Sequence, residues 1–126
     1  MTEPFQVGQT TEAVAAYREA LRIDPELAMA QNNLAWILAT AVDQLDRDGK
    51  EAVRLAEKAA RLTEYKRAGV LDTLAAAYAE SGRFDESVST VKIAIELAQS
   101  IGHRPLVSML RTQLALYQQR RPYRCL

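Results

Sequence analysis

The chain has 126 residues, 48% of them hydrophobic, which suits one domain with a core of its own. Sixteen basic residues balance sixteen acidic ones, so the net charge of zero argues against nucleic acid or an anionic membrane as a partner. The single cysteine, Cys125, excludes an internal disulfide and a thiol-based metal cluster. No apolar run approaches the roughly 18 residues of a membrane span, and the start lacks a secretory signal. These features predict a cytoplasmic protein.

Hydrophobic spacing predicts a chain of helices, with no segment of strand-like alternation. Six helices are expected, at about Thr11–Ile23, Pro25–Ala41, Asp48–Thr63, Arg67–Ser81, Phe84–Ile101 and Pro105–Arg120. Asp24 and Pro25 are predicted to end the first helix and start the second. Asp48 is predicted to cap the third, with Glu51 at the capping-box spacing. Glycines close the fourth and fifth helices at Gly82 and Gly102.

Two segments between and after these helices are strongly charged. Residues 42–47 form a polar linker, and the acidic run that ends at Asp48 precedes Gly49. A calcium loop is not expected there, because Gln44 would take the first ligand position and Leu55 the position that needs a glutamate. All the charged residues after Glu96 are basic. Such a segment can bind an acidic or phosphate-bearing partner, but we interpret it as a solvated terminal helix.

Histidine and cysteine, which often act as catalytic base and nucleophile, each occur only once in the chain. His103 is the only histidine and lies beside a helix break, while Cys125 is next to the end of the chain. A nucleophile at a frayed terminus cannot hold a dyad with a distant histidine. The sequence therefore predicts no catalytic residue, no metal site, no cofactor and no enzyme activity.

Small and apolar residues recur along the chain at near-constant intervals. Four positions return after 74 residues and four others after 40. The pairs are Gly8 and Gly82, Ala13 and Ser87, Tyr17 and Val91, Ala20 and Ala94, then Gln31 and Leu71, Leu34 and Leu74, Ala35 and Ala75, Leu38 and Tyr78. A middle copy consists of Ala52, Ala56 and Ala59, and these alanines are predicted to lie where helices approach most closely. The offsets equal one or two units of about 34 residues plus insertions, which predicts stacked helix pairs.

Several strings resemble the tetratricopeptide repeat (TPR) family. They are Leu71-x-x-Leu74-Ala75-x-x-Tyr78, Gly82-Arg83-Phe84-Asp85-Glu86-Ser87, Asn33-Leu34-Ala35 and the spacing from Gly8 to Pro25. The resemblance covers about residues 6–101 and implies an all-α, right-handed α-solenoid of helix-turn-helix repeats. It divides the chain into the second helix of an incomplete repeat (8–25), a repeat with a long internal linker (26–64), a second repeat (67–101) and a C-terminal capping helix (104–120).

Other phrases are similar to the C-terminal repeats of large bacterial TPR proteins. They are Asp48–Val53, Leu71–Ala75 and Arg121–Arg124. The family pattern also places Gly8 at the end of a helix, although only seven residues precede it. We therefore expect the first repeat to lack its first helix.

The resemblance implies that the first helix of each pair lines a concave groove for a peptide or protein segment. With Leu34, Ala35 and Leu38 packed inside, helical spacing turns the opposite face to the groove. The groove residues are then Met29, Asn32, Asn33, Trp36, Thr40, Asp72, Thr73, Ala76 and Glu80. Asn33 is similar to a groove asparagine of protein-modifying sugar transferases, and its amide can pair with any peptide unit. The acidic Asp72 and Glu80 favour neutral or basic segments.

Each of these residues also has a purely structural interpretation. Trp36 can be core between repeats, and Met29 can fill a gap between helices. Asn33 can bond a neighbouring helix, and Asp72 can be a first-turn charge favoured by the helix dipole.

Two other functions remain open. One is a self-assembly module, as a homodimer or as part of a longer array, and the other is a non-catalytic appendage of a glycosyltransferase-type protein. Val14, Tyr17 and Leu21 form an apolar stripe that the short segment Met1–Val7 is not expected to cover. That stripe predicts a two-fold dimer, unless Phe5 and Val7 fold back over it.

Overall fold

The fold is all-α. The computed structural model describes residues 7–125, and side chains from Thr10 onward, so the expected contacts of Phe5 and Val7 lie outside the described residues. The described residues form six α-helices and no strand: α1 (Val7–Ile23), α2 (Ala28–Thr40), α3 (Gly49–Leu62), α4 (Ala68–Glu80), α5 (Phe84–Ser100) and α6 (Arg104–Gln118). One 3-10 turn, Gln44–Asp46, lies in the linker between α2 and α3. The six predicted helices are thus confirmed, with small shifts at their ends.

Several helix ends follow the chemistry of their own residues. The Asp48 side chain accepts a hydrogen bond from the Glu51 backbone N–H at 3.1 Å and so caps α3 as predicted. The Glu51 carboxylate pairs instead with Arg18 of α1 at 2.7 Å, which ties α1 to α3. Gly82 and Gly102 have φ values of 78° and 72° directly after α4 and α5, the left-handed conformation that ends many helices.

Two expected helix boundaries are wrong. Pro25 does not begin α2, because the Asp24 side chain accepts a hydrogen bond from the Glu26 backbone N–H at 3.0 Å and forms a turn. The helix begins three residues later, at Ala28. Gly8 does not close a helix, since it lies in the first turn of α1.

The helices stack in chain order. Each packs on the next, and α2 also packs on α4, so the first helices of successive pairs lie side by side. Ala52, Ala56 and Ala59 of α3 are completely buried, as expected where helices approach closely. The α4 helix lies at the centre of the array and is buried continuously from Val70 to Ala79.

The chain reverses direction after α6. The helix ends at Gln118 rather than Arg120, and Arg120 adopts the left-handed conformation with a φ of 58°. The Arg121 backbone N–H then donates to the Leu116 carbonyl oxygen at 3.0 Å, which closes the turn. The guanidinium of Arg120 lies 5.2 Å from the centre of the Phe84 ring. As a result, residues 121–125 run back toward α4 and α2.

Candidate peptide-binding groove

The parallel helices α2 and α4 form one surface, and five of the nine predicted groove residues meet there around one pocket. Asn32, Asn33 and Trp36 of α2 and Asp72 and Thr73 of α4 line a pocket of about 290 Å³. The sequence pattern placed these residues on one face of each helix. The packing of α2 on α4 brings the two faces together.

The other predicted residues lie around this pocket in different environments. Met29 is 48% exposed, and its sulfur lies 3.9 Å from the Arg67 guanidinium, so it does not fill a gap in the core. Thr40 and Ala76 are buried, and the Thr40 hydroxyl donates to the Trp36 carbonyl oxygen at 2.6 Å. Neither of these two side chains is available to a ligand. Glu80 lies at the far end of α4, where its side chain is only 16% exposed.

Tyr17 of α1 is a pocket residue that the groove pattern did not include. Its spacing along α1 predicted a role in self-association together with Val14 and Leu21. All three side chains are half-buried against the core, so each keeps part of its surface exposed. The spacing within α1 alone could not reveal that Tyr17 also reaches the groove, because that depends on how α1 packs on α2.

The C-terminal end of the same groove is filled by the chain itself. We call residues 121–125 the C-terminal strap. The Tyr123 ring packs on Trp36 with 5.8 Å between ring centres and a tilt of 48°, a favourable aromatic geometry. The Arg124 guanidinium forms an ion pair with Glu80 at 2.8 Å, and the Cys125 backbone N–H donates to the Thr40 carbonyl oxygen at 2.9 Å. The strap is therefore packed against the groove and is not the solvated helix expected from its charge.

Glu80 is held from two sides. Arg47 of the linker approaches it at 3.3 Å and Arg124 of the strap at 2.8 Å. The Glu80 side chain is only 16% exposed, so this cluster is screened less by water than a surface pair. Arg47 also donates to the Ala41 carbonyl oxygen at 2.8 Å, which fixes it beside the groove independently of the strap.

Comparison with known proteins agrees with this architecture. A family model described as a TPR repeat matches residues 4–40, which include α1 from Val7 onward and α2. The chain is thus similar to TPR proteins in this segment. Neither the curated proteins nor the solved structures include a match. TPR repeats generally mediate protein–protein interactions. The likeness to large bacterial TPR proteins stays a prediction.

Asp72 is the acid of this groove whose pKa is most perturbed. Its side chain is only 6% exposed, and burial raises the pKa of its carboxyl to about 7. Within residues 7–125, its Oδ1 atom has no hydrogen-bond partner, and neither has the buried hydroxyl of Tyr117. Burial raises the pKa of Tyr117 and of Tyr123, and the negative charge of Asp72 raises both further. Asp72 is thus a buried groove acid, not a solvated first-turn charge.

The two residues considered for catalysis have local roles in the helical array. His103 is exposed, and its Nδ1 accepts a hydrogen bond from the Leu106 backbone N–H at 3.2 Å, which caps α6. The backbone of Cys125 belongs to the strap. In the part of the chain that the structure describes, His, Cys, Asp and Glu side chains form no group of three that could hold a metal ion. No helix of residues 7–125 is both long and apolar enough to cross a membrane.

Proposed function

We propose that this protein is a non-catalytic scaffold that binds an extended peptide or protein segment in the groove of α2 and α4. The observation that carries the proposal is that the groove already accommodates an extended segment, the C-terminal strap. The strap uses an aromatic side chain, a cation and a backbone N–H. A separate peptide with an aromatic residue and a basic residue can offer the same groups.

A preference for neutral or basic segments is supported by the cation that the groove already holds, Arg124 against Glu80. Glu80 lies at one end and Asp72 under the middle, while the Asn33 amide lines the open pocket. An amide both donates and accepts hydrogen bonds and so can pair with the backbone of a segment of any sequence. Two groove helices offer little area, and we therefore expect modest affinity. The cytoplasmic location stays a prediction from the sequence.

Replacing Asn33 by alanine tests the proposal. A library of random heptapeptides is screened against the parent chain, and the best neutral or basic peptide is titrated by fluorescence anisotropy. Losing hydrogen bonds from one amide costs about 1–1.5 kcal/mol, so Asn33→Ala is expected to weaken binding about tenfold. Helicity by circular dichroism should not change, because Asn33 is half-buried at the groove surface.

Gln99→Ala is the matched control, since it removes an amide from an exposed position on α5. It should leave peptide binding unchanged. If Asn33→Ala and Asp72→Asn both bind the peptide as the parent does, the groove is not the binding site.

We also propose self-association through α1, as the sequence analysis expected. Val14, Tyr17 and Leu21 are only half-buried, and Ile23 at the end of the same helix is 70% exposed. This leaves apolar surface on the outermost described helix.

Light scattering over a dilution series measures this directly. We expect a dimer that dissociates on dilution and that Leu21→Glu weakens. Ile93→Glu, at an exposed apolar position on α5, is the control that should not change the mass. A monomer at the highest concentration would contradict self-association.

A further inference from the structure

The contacts of the strap are concentrated at the ends of two helices. Three consecutive residues make contacts of different kinds: Tyr123 with the Trp36 ring, Arg124 with the Glu80 carboxylate, and Cys125 with the Thr40 carbonyl oxygen. Thr40 is the last residue of α2, and its carbonyl is one of those that a helix leaves without an internal partner. An extended segment that supplies an N–H there satisfies it. The strap therefore meets the groove as a bound peptide would.

We propose that the strap is an intramolecular pseudo-ligand, and that the partner which displaces it carries an aromatic residue followed directly by arginine. This inference rests on the proposed function, since it names the ligand class of the same groove. Trp36 selects the aromatic residue, and Glu80 selects the arginine. The strap holds this end of the groove closed until a segment of the same chemistry replaces it.

The groove remains intact when the strap leaves. Glu80 keeps its ion pair with Arg47, so its carboxylate is not left buried and unpaired. The turn at Arg120 is held separately, by the Arg121-to-Leu116 hydrogen bond and by the Phe84 ring. Displacement thus needs to break only the contacts of residues 123–125, while α6 stays docked.

The strap also leaves a polar group of the groove without a hydrogen-bond partner. Asp72 lines the same pocket as the Trp36 ring that Tyr123 contacts, and its buried Oδ1 lacks a partner among the described residues. Burying polar groups without partners is unfavourable. A partner segment that places a hydrogen-bond donor beside Asp72 gains a contact that the strap does not make. This difference allows a partner to compete with a segment that is already tethered to the groove.

The test uses full-length protein and a fluorescent peptide with the sequence of residues 119–125, with serine in place of cysteine. Tyr123→Ala combined with Arg124→Ala opens the groove in the protein. The open variant should bind the peptide at least about tenfold more tightly than the parent, because a tethered competitor acts at an effective concentration of about millimolar. Arg121→Ala is the matched control, because Arg121 is exposed, and it should bind as weakly as the parent.

Further variants of the protein and of the peptide show where the peptide binds and which of its residues are required. Glu80→Gln in the open variant, and loss of either the tyrosine or the adjacent arginine in the peptide, should each reduce binding. Equal binding to parent and open variant, or no binding to either, would overturn the inference. If binding of the library peptides still depends on Asn33 in that case, the proposed function stands without this inference. A parent dimer that Arg124→Glu dissociates would also overturn competition within one chain, because it would place the strap in the groove of a second copy.

Discussion

Asp72→Asn is expected to remove a loss of stability that the parent chain shows between about pH 4 and pH 7. Burial raises the pKa of Asp72 from 3.8 to about 7. Between these values the folded chain keeps a proton that the unfolded chain has released, so stability falls as pH rises. Each pH unit contributes about 1.4 kcal/mol, and the loss therefore reaches about 4 kcal/mol above pH 7. Below pH 4 the carboxyl is protonated in both states, and the loss disappears.

Urea unfolding of both proteins at several pH values measures this effect. Asparagine has nearly the same shape as aspartate and does not titrate, and the other ionisable groups are common to both proteins. The difference between the two free energies of unfolding thus isolates Asp72. It should change by several kcal/mol in favour of Asp72→Asn as the pH rises from 4 to 8. Parallel curves would mean that Asp72 is solvated and that the groove is more open than the structure has it.

Ala56→Leu is expected to destabilise the array by about 1–3 kcal/mol, because three extra carbon atoms must enter a packed helix contact. Ala56 is completely buried in α3, in the middle repeat. The melting temperature should fall by several degrees, since a change of 1 kcal/mol shifts it by roughly 2–8 °C in domains of this size range.

Ala115→Leu is the control, since it makes the same change at an exposed position of α6. It should alter stability by no more than about 0.5 kcal/mol. If Ala56→Leu melts at the temperature of the parent, the helix register expected for the middle repeat is wrong.

Local sequence predicted most of the fold. Helix positions follow from apolar spacing, and the ends at Asp48, Gly82 and Gly102 follow from capping chemistry within a few residues. Where the expected start of α2 was wrong, two local hydrogen-bonding patterns compete for the same side chain. Asp24 had two ways to use its side chain, as a helix cap or in a turn, and the turn prevailed.

The groove was predicted only in part. Helical period predicted that Asn33, Trp36 and Asp72 face the groove, and the structure brings the three around one pocket. The helical period could not predict which of the groove side chains are buried. It left Asp72 open to interpretation as a solvated charge, and it assigned Tyr17 to another surface. Burial depends on which helices cover a face, and no single helix carries that information.

By itself, the sequence determined the elements: six helices, their repeating faces, and a groove with acidic groups. Those properties arise from contacts between residues a few positions apart, which a periodic pattern records. Only the tertiary structure decided what fills the groove. The reversal at Arg120 uses a residue other than glycine in the left-handed conformation, which no turn signal marks. It carries Tyr123 back to Trp36 and Arg124 to Glu80. These pairs are far apart in the chain, and they meet because the stacked helices bring the end of α6 beside α4 and α2.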